Sequence, residues 1–266
     1  MKRTHLLVID PQNDFCDPKG SLYVKGADDD MQRLSSLIKK IGKNLYDIHC
    51  TLDSHHQLHI AHPMYWTNSK GETPNPFTSI SSQDMGKGQW YTSLPSFQKI
   101  ASDYLNQLEA RGRYPHTIWP PHCLIGSPGY SIYPELLSVL LDWEKDNLAC
   151  LNLVSKGSNI HREHFSAVMA EVVDPQDPST QLNTDFINMV MEADEILVAG
   201  EALSHCLLWT VRDMADSFGD DSFIKKVVLL SDCTSPVPGF EAMGQKLQDD
   251  LVSRRMQVTT STDYLK

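Results

Sequence analysis

Residues 195–206 read Glu-Ile-Leu-Val-Ala-Gly-Glu-Ala-Leu-Ser-His-Cys, an apolar run that passes into a helical pattern. The part at 195–200 is short and aliphatic, which predicts a strand buried on both faces. The pattern at 204–217 predicts a helix, and 226–231 predicts the next strand. A strand, a helix and another strand in this order indicate neighbouring parallel strands joined by a helical crossover.

The same alternation continues towards both ends of the chain. Further strands are predicted at 5–9, 47–52, 148–155 and 256–259, and further helices at 27–42, 134–144, 180–192 and 238–252. We therefore predict an α/β fold of three layers, in which a mainly parallel six-stranded sheet carries helices on both faces. A single domain is expected to cover residues 1–266.

Two stretches interrupt this rhythm. Residues 63–118 are rich in Pro, Gly, Ser and Asn around a helical segment near 95–111, and residues 170–180 are similarly irregular. We interpret 63–118 as an insertion in the domain, because long loops in compact domains are usually lids or binding loops. A second small domain is the alternative, but the apolar content of the stretch is thin.

Composition limits the class of protein. A hydrophobic content of 41% is enough for one large core, and the formal net charge of −11 argues against nucleic acid or an anionic membrane as the main partner. No segment resembles a secretory signal or approaches the ~20 apolar residues of a membrane span. The six scattered cysteines form no CxxC pair, so we expect reduced thiols and a cytoplasmic protein.

Polar residues follow four of the predicted strands. Asp10 ends the first strand, Asp53 and Lys156 follow the second and third, and Cys206 lies just beyond the fourth. Ligands of open α/β sheets bind outside the carboxyl ends of the strands, so these side chains should meet. An acid, a lysine and a cysteine at a helix start form a candidate nucleophile set, because a helix N-terminus lowers a thiol pKa.

A metal site is predicted beside this set. Asp53 and His55 are two residues apart, which places two metal-ligand side chains on one side of an extended strand end. The rigid segment that begins at Trp119 offers His122 as a third ligand, with Cys123 as the rival. Histidine and carboxylate ligands suit zinc, iron or manganese.

Six short segments form a recognisable series along the chain. They are Val-Ile-Asp-Pro-Gln-Asn-Asp-Phe-Cys at 8–16, Asp-Ser-His at 53–55, Trp-Pro-Pro-His-Cys-Leu-Ile-Gly-Ser-Pro-Gly at 119–129, Lys-Gly at 156–157 followed by Glu-His-Phe-Ser at 163–166, Ala-Gly-Glu-Ala-Leu-Ser-His-Cys at 199–206, and Asp-Cys-Thr-Ser at 232–235. Together they resemble the isochorismatase-like cysteine hydrolases, and among these the nicotinamidases. The resemblance spans residues 6 to about 240.

The resemblance implies a catalytic triad of Asp10, Lys156 and Cys206. It also implies an oxyanion hole formed by the backbone N–H groups of Ala202 and Cys206. A cis peptide bond is implied between Glu201 and Ala202, just before the nucleophile loop.

The resemblance further implies how metal and substrate are held. The implied metal ligands are Asp53, His55 and His122, and either His59 or His62 could be a fourth. Phe15 and Trp119 are the candidates to pack on the faces of a substrate ring, although both could be ordinary core residues.

The implied activity is that of a metal-assisted cysteine amidohydrolase, which converts nicotinamide to nicotinate and ammonia through a thioester. The implied cofactor is one divalent metal ion, zinc first, with iron or manganese as alternatives. One alternative function is a same-fold amidase that acts on a different or larger amide, and another is a non-catalytic metal-binding or scaffold protein. We expect a small-molecule amide as the partner, no nucleic acid and no membrane, and the sequence leaves open whether the chain forms a homo-oligomer.

Overall fold

A six-stranded parallel sheet is the centre of the fold. The computed structural model describes residues 2–218 and 220–266. Its strands are β1 (Thr4–Ile9), β2 (Leu45–Asp53), β3 (Trp66–Thr67), β4 (Tyr91–Thr92), β5 (Asn152–Lys156), β6 (Glu195–Gly200), β7 (Val227–Leu230) and β8 (Gln257–Thr259). The large sheet has the order β5-β2-β1-β6-β7-β8, and all of its neighbouring strands are parallel. The predicted α/β fold is confirmed.

Helices cover the two faces of this sheet. They are α1 (Asn13–Cys16), α2 (Ala27–Ile41), α3 (Ser82–Gly86), α4 (Gln98–Arg111), α5 (Pro134–Asn147), α6 (Thr184–Met191), α7 (Leu208–Asp216) and α8 (Glu241–Ser253). Helix α2 packs against α5, and α7 packs against α8. Within the described ranges, no helix combines the length and apolar character that a membrane crossing requires.

Two element boundaries differ from the sequence prediction for local reasons. Helix α5 continues to Asn147 and ends at Leu148, which has a φ of 52° and is 95% exposed, so β5 begins only at Asn152. The helix predicted at 204–217 is preceded by a π-helical turn, Leu203–Leu207, before α7 begins. This wide turn is closed by a bond from the Leu207 N–H to the Ala202 carbonyl, at 3.2 Å.

The segment at 63–118 contains α3, α4 and the short antiparallel pair β3–β4. Contrary to its thin apolar composition, it builds a buried cluster of its own, which consists of Ile60, Tyr65, Trp66, Ile80, Met85, Ala101, Tyr104, Leu105, Leu108, Ile118 and Val172. One residue of this cluster comes from the second irregular stretch, so the two stretches pack together. The description of the chain as one domain with an insertion stays a prediction.

The segment is also tied to the rest of the protein by polar contacts. The Tyr114 hydroxyl donates to the Ser204 carbonyl in the π-helical turn, at 2.7 Å. Arg113 forms ion pairs with the buried carboxylates of Glu171 and Asp213, and its guanidinium lies 4.2 Å from the centre of the Trp209 ring. The segment therefore contacts the turn that carries Cys206 directly.

Candidate active site

The predicted site residues meet at the carboxyl end of the sheet. Asp10 follows β1 directly, Asp53 ends β2, Lys156 ends β5, and Cys206 lies in the π-helical turn after β6. A narrow cavity, open to solvent, lies against this edge. Its lining comprises Phe15, Leu22, Asp53, Trp119, His122, Glu163, His164, Phe165, Ala202, His205, Cys206 and Val237.

Lys156 joins the acid and the cysteine. Its Nζ lies 2.9 Å from Asp10 Oδ2, 2.9 Å from Asp53 Oδ1 and 3.5 Å from Cys206 Sγ, and it also donates to the His164 carbonyl at 3.0 Å. Burial disfavours its ammonium form, but Asp10 and Asp53 raise the pKa of Lys156 well above its ordinary value. The lysine is therefore a permanent positive charge at the centre of the site.

Both the backbone and the carboxylate of Asp10 are held in place. Its backbone has a φ of 41°, a left-handed conformation that aspartate tolerates better than most residues. The Thr51 hydroxyl accepts a bond from the Asp10 N–H at 3.0 Å and donates one to the Asp10 carboxylate. Burial raises the pKa of Asp10 although Lys156 opposes this, so the carboxylate is a stronger base than an exposed aspartate.

Cys206 is a protonated thiol in this arrangement. It is 8% exposed and borders the cavity. Burial raises the pKa of the Cys206 thiol well above its ordinary value, and the attraction of Lys156 offsets only part of that effect. Formation of the thiolate therefore requires transfer of the proton to a nearby base, and Asp10 is the basic group that shares Lys156 with the thiol.

The three predicted metal ligands converge on one point. His55 Nε2 lies 2.9 Å and His122 Nε2 lies 3.3 Å from Asp53 Oδ2. The Nδ1 atom of each ring donates to a backbone carbonyl, of Gly157 at 3.0 Å and of Pro120 at 2.9 Å, so each neutral ring presents the lone pair of Nε2 to the carboxylate.

Two lone pairs that face one carboxylate oxygen repel it unless a positive charge lies between them. Protons can supply that charge in part: the pKa of His55 is raised because Asp53 outweighs burial. A divalent cation fits the same place, because two imidazoles and a carboxylate are a donor set that such ions prefer. The three residues could thus hold a divalent metal. Cys123, the rival ligand, is buried and lies outside this group.

The two histidines that the sequence could not rank differ in their environment. Both ring nitrogens of His59 have backbone partners, because one contacts the Arg162 carbonyl at 3.1 Å and the other accepts from the Ala61 N–H at 3.2 Å. His62 is buried, and its Nε2 has no partner in the described ranges. Its ring centre lies 5.3 Å from that of His55 and 5.4 Å from that of His122.

Sequence reasoning missed three residues that support the site. The Gln12 carboxamide donates to the Asp53 carbonyl and accepts from the Asp53 N–H, both at 2.7 Å, which fixes the backbone of that ligand. Glu163 is buried beside His55 and His59, and one of its carboxylate oxygens has no partner among the residues described. Gln12 and Glu163 lie inside the recognisable segments, whereas Thr51 carries no signal beyond its place on β2.

Aromatic side chains form the walls of the cavity. Phe15 and Trp119, 6% and 4% exposed, both border it, and the Phe15 ring centre lies 5.4 Å from that of His122. His205 packs against Trp119 at 5.5 Å and against Phe240 at 4.6 Å. Such a cavity suits a flat ring with few polar atoms.

The predicted oxyanion-hole residues also border the cavity. The peptide bond between Glu201 and Ala202 is cis, as the sequence resemblance implied. The Ala202 N–H donates to no other backbone group in residues 2–218 and 220–266. Ala202 and Cys206 line the same cavity.

Comparison with known proteins gives relatives over most of the chain. No family model matches. The nicotinamidase of Saccharomyces cerevisiae is 23% identical over 256 residues, which cover 95% of this chain and 97% of the relative. The nicotinamidase of Escherichia coli is 26% identical over 210 residues, 78% of this chain and 74% of the relative.

Solved structures share the fold. The yeast nicotinamidase Pnc1p bound to the inhibitor nicotinaldehyde matches with a TM-score of 0.66 and 21% identity, over 97% of this chain and 99% of the other. The pyrazinamidase of Pyrococcus horikoshii in complex with zinc matches with a TM-score of 0.56 and 17% identity, over 97% and 99% of the two chains. The resemblance predicted from the sequence is confirmed: the chain is similar to curated nicotinamidases over most of its length and shares its fold with solved nicotinamidases and pyrazinamidases.

Proposed function

We propose that this protein is a metal-assisted cysteine amidohydrolase that converts nicotinamide to nicotinate and ammonia. The observation that carries the proposal is the direct contact of Lys156 Nζ with Asp10 and Cys206, beside a cavity that also borders the candidate metal ligands. The similarity to yeast and bacterial nicotinamidases supports nicotinamide as the first substrate to test.

In the first half of the reaction, Cys206 Sγ attacks the carboxamide carbon. The thiol proton moves to Asp10, whose pKa is raised by burial, while Lys156 stabilises the negative charge on sulfur. The oxygen of the tetrahedral intermediate would accept from the N–H groups of Ala202 and Cys206, each worth ~3–4 kcal/mol in comparable sites. Asp10 then donates its proton to the amide nitrogen, the C–N bond breaks, and ammonia leaves.

In the second half, water hydrolyses the thioester. Asp10 is again a carboxylate once it has protonated the leaving group, so it can accept a proton from the attacking water. The C–S bond breaks, Asp10 returns this proton to the sulfur so that the thiol of Cys206 is restored, and the acid product leaves. The walls formed by Phe15 and Trp119 hold the ring throughout and keep the carboxamide carbon near the sulfur.

Asp53, His55 and His122 would hold the divalent cation, and zinc is the first candidate. The similar pyrazinamidase of P. horikoshii was solved in complex with zinc, and iron or manganese would suit the same ligands. When bound, the cation would supply a Lewis acid for a ring nitrogen of the substrate.

We further propose His62 as the fourth ligand, because its Nε2 is buried without a partner whereas both nitrogens of His59 are engaged. The matched variants are His62→Gln and His59→Gln. We expect His62→Gln to weaken zinc binding about 10-fold or more and His59→Gln to have less effect. A zinc titration in which His59→Gln shows the greater loss would reverse the assignment.

The activity is tested by ammonia release from nicotinamide, with the purified protein before and after metal removal and metal return. We expect release that depends on the metal and that Cys206→Ala abolishes. Cys150→Ala is the matched control, because Cys150 is an exposed free thiol and should leave the rate unchanged. Turnover retained by Cys206→Ala would refute the nucleophile assignment.

A same-fold amidase for a larger amide is the second candidate, and one observation favours it. Leu22 and Val237 border both the cavity and a neighbouring hollow of about 350 Å³, which is also lined by Phe77 from the 63–118 segment. Phe77 is 59% exposed and its ring centre lies 5.9 Å from that of Trp119. If nicotinamide releases no ammonia with any metal while a ring-extended amide does, the substrate assignment moves to the larger amide.

A cytoplasmic location remains part of the proposal, supported by six cysteines that are all free thiols. The expectation that nucleic acid is not a partner likewise stays a prediction, and so does the open oligomeric state. A small-molecule amide is the partner that this proposal requires.

A further inference from the structure

A second group of metal-ligand side chains lies away from the candidate active site. It consists of His5 on β1 and of Asp47 and His49 on β2, and one ligand atom from each lies within 4.8 Å of the other two. The strands are paired in parallel, with His5 opposite Asp47 and Leu7 opposite His49. Because side chains alternate along a strand, all three point to one face of the sheet.

This group is separate from the candidate active site. His49 precedes Asp53 by four residues on β2, which is about 13 Å of extended chain. His5 is near the amino end of β1, whereas Asp10 follows its carboxyl end. The group therefore lies nearer the amino ends of the strands than the candidate active site does. None of its residues borders the cavity beside Cys206.

The two imidazoles are buried and only partly satisfied. His5 and His49 are 1% and 0% exposed, and His5 Nδ1 lies 2.9 Å from His49 Nε2. The other ring nitrogen of each has no partner among the described residues. The ring centres are 5.1 Å apart, so the two facing nitrogens lie close to the line between the rings, and a cation that replaces the proton between them would bind His5 Nδ1 and His49 Nε2.

The carboxylate is oriented towards the same place. Asp47 accepts a bond from the Ile48 N–H at 2.8 Å and one from Asn152 Nδ2 at 2.9 Å, an arrangement like the outer contacts that orient metal-binding carboxylates. Asp47 is only half-buried, which gives an ion access from solvent. The Tyr46 ring is stacked on His5, 5.5 Å between centres, and restrains that imidazole.

We propose that His5, Asp47 and His49 form a second divalent-metal site, which joins β1 to β2 and takes no part in catalysis. Two imidazoles and one carboxylate suit zinc and cobalt, with solvent completing the coordination. The site does not depend on the proposed hydrolase activity, because it shares no residue with the candidate catalytic set.

Metal stoichiometry tests the proposal. The full-length protein is stripped with a chelator, loaded with Co²⁺ or Zn²⁺, desalted and analysed for metal per chain, with the visible absorption of Co²⁺ as a second readout. We expect two ions per chain in the wild type and one in Asp47→Asn and in His49→Gln. Asp53→Asn should also keep one ion, at the second site.

Asp47→Asn also separates ligand loss from misfolding. Asparagine has the same shape, but its amide nitrogen cannot accept the bond from Asn152, so the metal-free variant should melt a few degrees below the wild type. It should keep its activity, while the rise in melting temperature on adding metal becomes smaller. One ion per chain in the wild type that Asp53→Asn loses and Asp47→Asn keeps would overturn the proposal, whereas one ion that Asp47→Asn loses would support it and count against the candidate active-site metal. Two ions retained in both Asp47→Asn and His49→Gln would overturn it as well, because the second ion would then lie elsewhere.

Discussion

Replacement of Lys156 by methionine removes the positive charge that contacts both Asp10 and Asp53. Methionine has nearly the same length, so the change leaves the volume almost constant and deletes the ammonium. Two buried carboxylates, each 2.9 Å from Nζ in the wild type, then lose their counter-charge. Breaking a buried ion pair from one side typically costs about 3–5 kcal/mol, so we expect at least that loss in the free energy of unfolding near pH 7.

The loss should depend on pH in a defined direction. Without the lysine, the pKa of Asp10, already raised by burial, rises further above its ordinary value. A group with a raised pKa contributes stability at low pH and loses it as pH rises through the folded-state value. In the wild type, His55 and Lys156 hold the pKa of Asp53 well below its ordinary value despite burial, so that contribution is lost as pH falls. Both effects make the difference between the two proteins largest at pH 7–8 and smaller near pH 4.

Urea unfolding of metal-free protein at pH 7.5 and pH 4.5 measures this difference. The matched control is Lys99→Met, which removes a lysine from an exposed pair with Asp103, where the side chains are 86% and 52% exposed. An exposed pair of this kind contributes within about 0.5 kcal/mol, so the control should unfold like the wild type at both pH values. A Lys156→Met protein as stable as the wild type at pH 7.5, or a deficit independent of pH, would refute the reasoning.

Two further predictions concern Gly157 and Glu171. A Cβ atom on Gly157 would lie 2.9 Å from both Asp53 Oδ1 and His55 Cε1, so Gly157→Ala should weaken zinc binding ~10–100-fold in a titration. Gly71→Ala has a similar positive φ but meets no atom within 4 Å, so it should bind zinc normally, and equal affinity in both variants would contradict the prediction. Burial raises the pKa of Glu171 from 4.5 to about 7 although Arg113 opposes it, so its stabilisation is present at acid pH and is lost as pH rises through about 7. The stability of the wild type should therefore fall more steeply between pH 5 and pH 8 than that of Glu171→Gln, and parallel curves would speak against this.

The sequence predicted those features that depend on strand ends. Aliphatic runs placed the strands, and the polar residue after each run then had to lie at one edge of the sheet, which brought Asp10, Asp53, Lys156 and Cys206 together. The direction in which a histidine side chain points from a loop cannot be predicted from strand ends. Whether His59 or His62 faces the metal ligands depends on the backbone of the loop between them, and a sequence pattern contains no information on that path.

Three other features of the structure leave no local pattern in the sequence from which they could be predicted. Helix α1 has only four residues, too few for a periodic signal. The cluster in the 63–118 segment packs the adjacent Tyr65 and Trp66 with Tyr104, which lies far along the chain, so the cluster gives no continuous apolar window. The Gln12 carboxamide acts through both backbone groups of Asp53, a contact that only the folded chain creates.

The π-helical turn at Leu203–Leu207 also limits how the length of the chain can vary. It closes on the fifth residue, whereas an α-helical turn closes on the fourth, so the turn contains one residue more than a regular helix would need. Deletion of one residue between Ala202 and Leu208 would restore a regular helix but would turn the preceding side chains by about 100° relative to α7. Cys206 would then face away from Lys156. Descendants of this chain should therefore tolerate insertions and deletions in the exposed loop 69–73 and none between Gly200 and α7.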